Sequence, residues 1–452
     1  MKNDIDLDNA PINTTFFKYL APAVLGMIVK SVFIIVDLMF VGRGVGSLGL
    51  GAISLTVPFF SFSSAIATMI GIGGATIMSV QFGKSRPDVG QCLFEVSLLI
   101  TLTTAIVLVS SGLYWLDEIV SLMGASGELA QLSVDYLSIM LYFFVLHSVG
   151  WMLSAFVRND TNPSLVMKGM LAGAITNIVL DYLFIFEFGW GIRGAALATG
   201  IGQTVIFVFT LTHFIMGSGK LRLKLSGGYR WKNVTDILKI GSPIFFIEST
   251  TAVTTLVFNY VLLSQYSSLH VTAYSIVMNV SLVVMFFMTG IGQACQPIIS
   301  YNHGAGRKER LESVLKLGLR YATLTGVIAI IVPFIFAEHI VAVFTTYDQE
   351  LISLATKAMH IYFLGAVLMG WNLVIANYFQ AIAIPFNATV ISLSRGVVFV
   401  VIGLLTLPFI FPDNGVWGSV LMAETITAII AIYMLIKHKR NSKPNLKTVN
   451  NQ

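Results

Sequence analysis

Six ionisable side chains fall inside stretches that are otherwise almost wholly apolar: Lys30, Asp37, Asp181, Glu248, Arg395 and Glu424, with His147 as a neutral addition. A charge in hydrocarbon costs at least ~2.5–3.5 kcal/mol, so each is a candidate for function. Asp181 follows Asn177 by four residues, which puts amide and carboxylate on one helical face. Such a pair can hold a proton or a small hard cation through oxygen, or Asp181 can simply bond a neighbouring helix. Asp37 lies late in the first apolar stretch. Lys30 precedes it by two turns on roughly one face, and an ammonium there needs a counter-charge, for which Glu248 is the candidate. Arg395 is open to substrate contact or a salt bridge. Glu424 and His147 read as interhelical hydrogen-bonding groups. No HExxH, nucleophile elbow or P-loop accompanies these residues, which argues against an intramembrane enzyme and against an ATP-driven pump.

The elements that carry them follow from composition. Of 452 residues, 56% are hydrophobic and 11% charged, against roughly 25% charged in soluble domains, and the mean hydropathy is +0.83. The expectation is an all-α integral membrane protein. Twelve stretches are long enough to span a ~30 Å core: 15–41, 52–81, 92–116, 131–157, 164–188, 193–218, 236–264, 270–301, 311–335, 351–382, 386–411 and 415–437. The polar start, MKNDIDLDNAPINTTF, reads as a short solvated tail rather than a cleaved leader. Cys92 and Cys295 read as small buried hydrophobes. Basic residues gather after the even-numbered spans, so the positive-inside rule puts both termini in the cytoplasm of a cell-membrane protein. The net charge of +5 then reflects topology and contact with anionic lipid, not nucleic acid.

The second half repeats the first. Phe17-Lys18-Tyr19-Leu20-Ala21-Pro22 is echoed by Leu238-Lys239-Ile240-Gly241-Ser242-Pro243, and GIGGAT from Gly71 by GIGQAC from Gly290. Six spans per repeat is an even number, so the repeats are parallel, related by an axis along the membrane normal. The division is a tail (1–14), an amino-terminal lobe (15–218), a basic linker (219–235), a carboxy-terminal lobe (236–437) and a second tail (438–452). Two pseudo-symmetric lobes around a central cleft suit a transporter, with Pro22 as a hinge in the first helix.

Several strings, taken in order, carry a further likeness. They are Val36-Asp37 with Val41-Gly42, Gly71-Ile72-Gly73-Gly74-Ala75, Arg158-Asn159-Asp160-Thr161-Asn162-Pro163, Asn177-Ile178-Val179-Leu180-Asp181, Gly194-Ala195-Ala196-Leu197-Ala198-Thr199 and Tyr378-Phe379-Gln380-Ala381. From Pro22 to about Lys437 the chain resembles the multidrug and toxic compound extrusion (MATE) family. The resemblance implies cation-coupled export of amphipathic, often cationic compounds from a monomer, with no cofactor beyond H⁺ or Na⁺. It places the amino-lobe cation site on Asp37, Asn177, Asp181 and Thr199, in the DinF-like manner. A NorM-like carboxy-lobe site is incomplete, since the tenth span has no acid after its start. A lipid-linked precursor flippase of the same superfamily is the alternative, although only Lys30 and Arg395 would serve its pyrophosphate.

Overall fold

The computed structural model describes residues 5–224, 227, 229–342 and 349–441. Within that set every regular element is helical, as hydrocarbon demands of a backbone that must satisfy its own hydrogen bonds. Eleven helices are long and apolar enough to cross a membrane, and one bent pair makes a twelfth span. The first lobe holds α1 (Ile12–Gly44), α2 (Ser47–Gly83), α3 (Pro87–Tyr114), α4 (Gly127–Asn159), α5 (Pro163–Glu187) and α6 (Gly191–Ile215). The second holds α7 (Trp231–Gln265), α8 (Ser268–Gly304), α9 (Lys308–Ala342), α10 (Gln349–Phe363 with Ala366–Ala381), α11 (Pro385–Ile410) and α12 (Gly415–Asn441). Pro87, Pro163 and Pro385 each open a helix, where a missing N–H costs nothing.

Several expectations need amendment. Span 351–382 is not one straight helix: it breaks at Leu364–Gly365 and bends by 45°, where Leu364 N–H closes a tight turn on Ile361 O at 3.3 Å. Nor is residues 5–11 a solvated tail. Leu7 is only 4% exposed within the main core, and Arg307 pairs with Asp8 at 2.8 Å. Tyr301 also donates to Asp8 at 2.8 Å, and Arg310 to the Ala10 carbonyl at 2.9 Å. The amino terminus thus straps the first lobe to the second. Cys295 is buried but Cys92 only half so. α1 passes through Pro22 as one helix, with the bond to the Lys18 carbonyl necessarily missing. The linker is anchored rather than free. Asp160 accepts from Lys220 N and Leu221 N at 3.0 and 3.1 Å and meets His213 Nε2 at 3.0 Å. Residues 442–452 of the expected second tail lie outside the described residues.

The lobes meet at the face where α1 begins and α12 ends. There α2 crosses α7 and α8 so closely that only glycine fits. A Cβ on Gly73 would strike the Ile237 carbonyl and one on Gly241 the Met69 carbonyl. Farther along, Gly83 lies against the Tyr301 carbonyl and Gly304 against that of Val80. Small residues at such crossings let backbones approach. Beside them Asn159 and Gln296 exchange hydrogen bonds across the lobes at 2.9 and 3.2 Å. Farther from that face the Phe62 and Phe245 rings still meet edge to face across the lobes, 5.6 Å apart. At the opposite end each lobe packs on itself: Gly44 fits against Ile185, and Tyr266 bonds the Pro412 carbonyl at 2.7 Å. The result is a cleft closed at the face bearing the chain ends.

Candidate functional site

Three helices of the first lobe converge on a buried cluster of oxygens. Asp37 comes from α1, Asn177 and Asp181 from α5, and Thr199 from α6; they are 9%, 1%, 0% and 8% exposed. The Asp37 and Asp181 carboxyls face one another within hydrogen-bonding range, with Thr199 beside Asp37 and Asn177 beside Asp181. Asn177 Nδ2 donates to Thr199 Oγ1 at 3.3 Å, which turns its own carbonyl oxygen inward. That oxygen, Asp37 Oδ1 and both oxygens of Asp181 are buried with no donor to meet them. Buried acceptors without partners are costly, and two ionised carboxylates cannot bond each other. A shared proton, or a small cation ringed by these oxygens, removes the conflict. With two acids rather than three, the donor set suits a proton or a monovalent ion.

Local structure aims the cluster. Asp181 ends the α-helical part of α5, and a π-helical turn, Tyr182–Glu187, follows at once. Such turns are rare and concentrate at functional sites. Tyr136 of α4, which sequence reasoning missed, lies in the electrostatic field of both aspartates. Nothing in its sequence context separates it from an ordinary packing aromatic.

Asn177 and Thr199 also line one wall of a small cavity of about 50 Å³, shared with Lys30, Phe33, Trp151 and Gln203. Lys30 Nζ lies 4.8 Å from the Trp151 ring centroid and 5.4 Å from that of Phe286 in the other lobe. Glu248 is the acid whose field reaches it, but the two form no ion pair within 4 Å, and Glu248 is exposed. His147 meets Ser64 Oγ at 3.1 Å behind this wall.

Arg395 is placed differently. It makes a buried ion pair with Glu424 at 2.8 Å, with side chains 10% and 3% exposed. Asn372 Nδ2 braces the carboxylate at 2.7 Å. Arg395 too occupies a π-helical turn, Ser394–Val398. With its charge so matched, it is a strut between α11 and α12 rather than a free cation in the cleft.

A profile of the MatE family matches residues 22–183 and again 243–405, so the profile itself occurs twice, once in each lobe. The chain belongs to the MatE family. Membership makes it a multi-pass membrane transporter and not an enzyme. The multidrug export protein MepA of Staphylococcus aureus is 26% identical over 430 residues, covering 95% of this chain and 94% of its own. MepA of Staphylococcus saprophyticus is 26% identical over 421 residues, covering 92% and 91%. Among solved structures, an outward-facing multidrug resistance MATE transporter of the MOP superfamily superposes with a TM-score of 0.91 at 20% identity, covering 96% of this chain and 97% of that one. An Asp→Asn mutant of the Vibrio cholerae MATE transporter VcmN gives 0.89 at 17% identity, covering 96% and 98%. These likenesses carry the two-lobed fold of the family.

Proposed function

We propose that the protein is a cation-coupled antiporter that exports amphipathic drugs or toxic compounds by alternating access of its two lobes. It works as a monomer in the cell membrane with both termini cytoplasmic, so the closed face is the inner one and the cleft opens outward. The observation that carries this reading is the set of unpartnered oxygens on Asp37, Asp181 and Asn177, adjoining the cavity through Asn177 and Thr199. A proton or Na⁺ entering from outside neutralises the aspartate pair and lets α1 rearrange about Pro22. The cavity wall formed by Val29, Lys30 and Phe33 moves with it, so ion and substrate compete through one conformational equilibrium. Export by the MepA relatives supports the multidrug character.

The test is dye efflux from proteoliposomes under imposed pH and Na⁺ gradients, applied separately. Asp37→Asn and Asp181→Asn should each abolish gradient-driven efflux while folded protein remains in the membrane. Wild-type rates in both variants would move the coupling site elsewhere, to Glu248 first.

A further inference from the structure

We infer that the cleft selects aromatic amphiphiles bearing a carboxylate, and that Lys30 is the residue that selects them; this refines the efflux reading above by naming the substrate class. Of the residues lining the cavity, Lys30 alone is charged. Its ammonium is held between an indole of one lobe and a phenyl ring of the other, Trp151 and Phe286. Rings stabilise a cation without neutralising it, so the positive charge stays available to a ligand.

The second lobe shows what a structural cation looks like. Arg395 is locked to Glu424 at 2.8 Å, and Asn372 braces the same carboxylate at 2.7 Å. Lys30 has no such partner among the described residues. The acids around it are separated by place: Asp37 and Asp181 are buried beyond Asn177 and Thr199, and Glu248 stands exposed on α7 within electrostatic reach. A flat aromatic compound entering the cleft can stack against Trp151 or Phe33 and place a carboxylate on Lys30. A cationic nitrogen on the same molecule would turn toward Glu248. A purely cationic compound meets Lys30 as a like charge, which disfavours it.

The experiment compares rhodamine B, a zwitterion, with its ethyl ester, which lacks the free carboxylate and is a cation. Binding of each to the full-length protein in detergent is followed by fluorescence anisotropy at equilibrium, with no ion gradient. Wild type should bind the free acid about tenfold more tightly than the ester. Lys30→Met, close in shape, should bring the ratio near one by weakening the acid and relieving the ester of a like charge, whereas Lys30→Arg should keep it within about threefold of wild type. Equal binding of the two dyes by wild type, or an unchanged ratio in Lys30→Met with both variants eluting as folded monomers, overturns the inference. Because no gradient is applied, a failure of ion coupling leaves this ratio untouched. Loss of the ratio, in turn, leaves gradient-driven efflux to be judged by the aspartate variants.

Discussion

Gln296→Leu isolates the polar clasp that holds the closed face shut. Gln296 Nε2 donates to Thr76 Oγ1 at 2.9 Å and to Asn159 Oδ1 at 3.2 Å, and its Oε1 accepts from Asn159 Nδ2 at 2.9 Å. All three bonds run from α8 to the first lobe, between residues no more than 7% exposed. Each buried hydrogen bond is worth about 0.5–1.5 kcal/mol net, so losing three removes about 3 kcal/mol from the closed arrangement. Leucine also strands the Asn159 amide there, whereas parting the lobes at this face rehydrates it. Since 1.4 kcal/mol is tenfold, the ratio of closed to open at this face should fall by roughly a hundredfold. Spin labels at Arg86→Cys and Glu309→Cys, in a Cys92→Ser, Cys295→Ala background, report that ratio by double electron–electron resonance. An unchanged distance distribution in Gln296→Leu would refute the reasoning, since it would mean that the clasp contributes nothing to closure.

Arg395→Met should destabilise the second lobe by about 3–5 kcal/mol, because it leaves a buried carboxylate unpaired. Adding Glu424→Leu should recover most of that, read as the thermal midpoint in detergent; a double variant no better than the single one would count against the strut. In the amino-terminal strap, Leu7→Ala should lower the midpoint more than Asp8→Asn does. Leu7 is 4% exposed, whereas the Asp8–Arg307 pair is 42% and 36% exposed and worth at most about 1 kcal/mol.

What the sequence reveals is governed by range. The twelve spans are legible because the solvent imposes them: a run of apolar residues in lipid has no alternative to a helix. Asn177 and Asp181 are legible as a pair because one turn of helix joins them. Their convergence with Asp37 and Thr199 comes through family resemblance, and the structure brings the four together. The strap of residues 5–11 is not legible, since an acidic stretch looks solvated until Arg307 and Arg310, some three hundred residues later, are seen beside it. The sequence suggests a carboxylate partner for Lys30, with Glu248 as the candidate, but the structure sets its ammonium beside the Trp151 and Phe286 rings, and ring geometry leaves no trace in spacing. The break at Leu364–Gly365 leaves no mark because one apolar run, Ile361-Tyr362-Phe363-Leu364-Gly365-Ala366-Val367-Leu368-Met369, continues across it.

The crossings at Gly73, Gly241, Gly83 and Gly304 have a consequence of their own. Gly83 and Gly304 are 221 residues apart (304 − 83), the offset that separates Pro22 from Pro243, and each rests on the carbonyl three residues before the other. The surfaces that part are therefore bare peptide on bare peptide, arranged as mirror roles on one helix pair. Nothing at these four points titrates or is screened by salt, and no side chain must be withdrawn before the surfaces separate. They act as a passive bearing with matched faces, indifferent to which lobe drives the motion, so the direction of transport must be set by what binds above them.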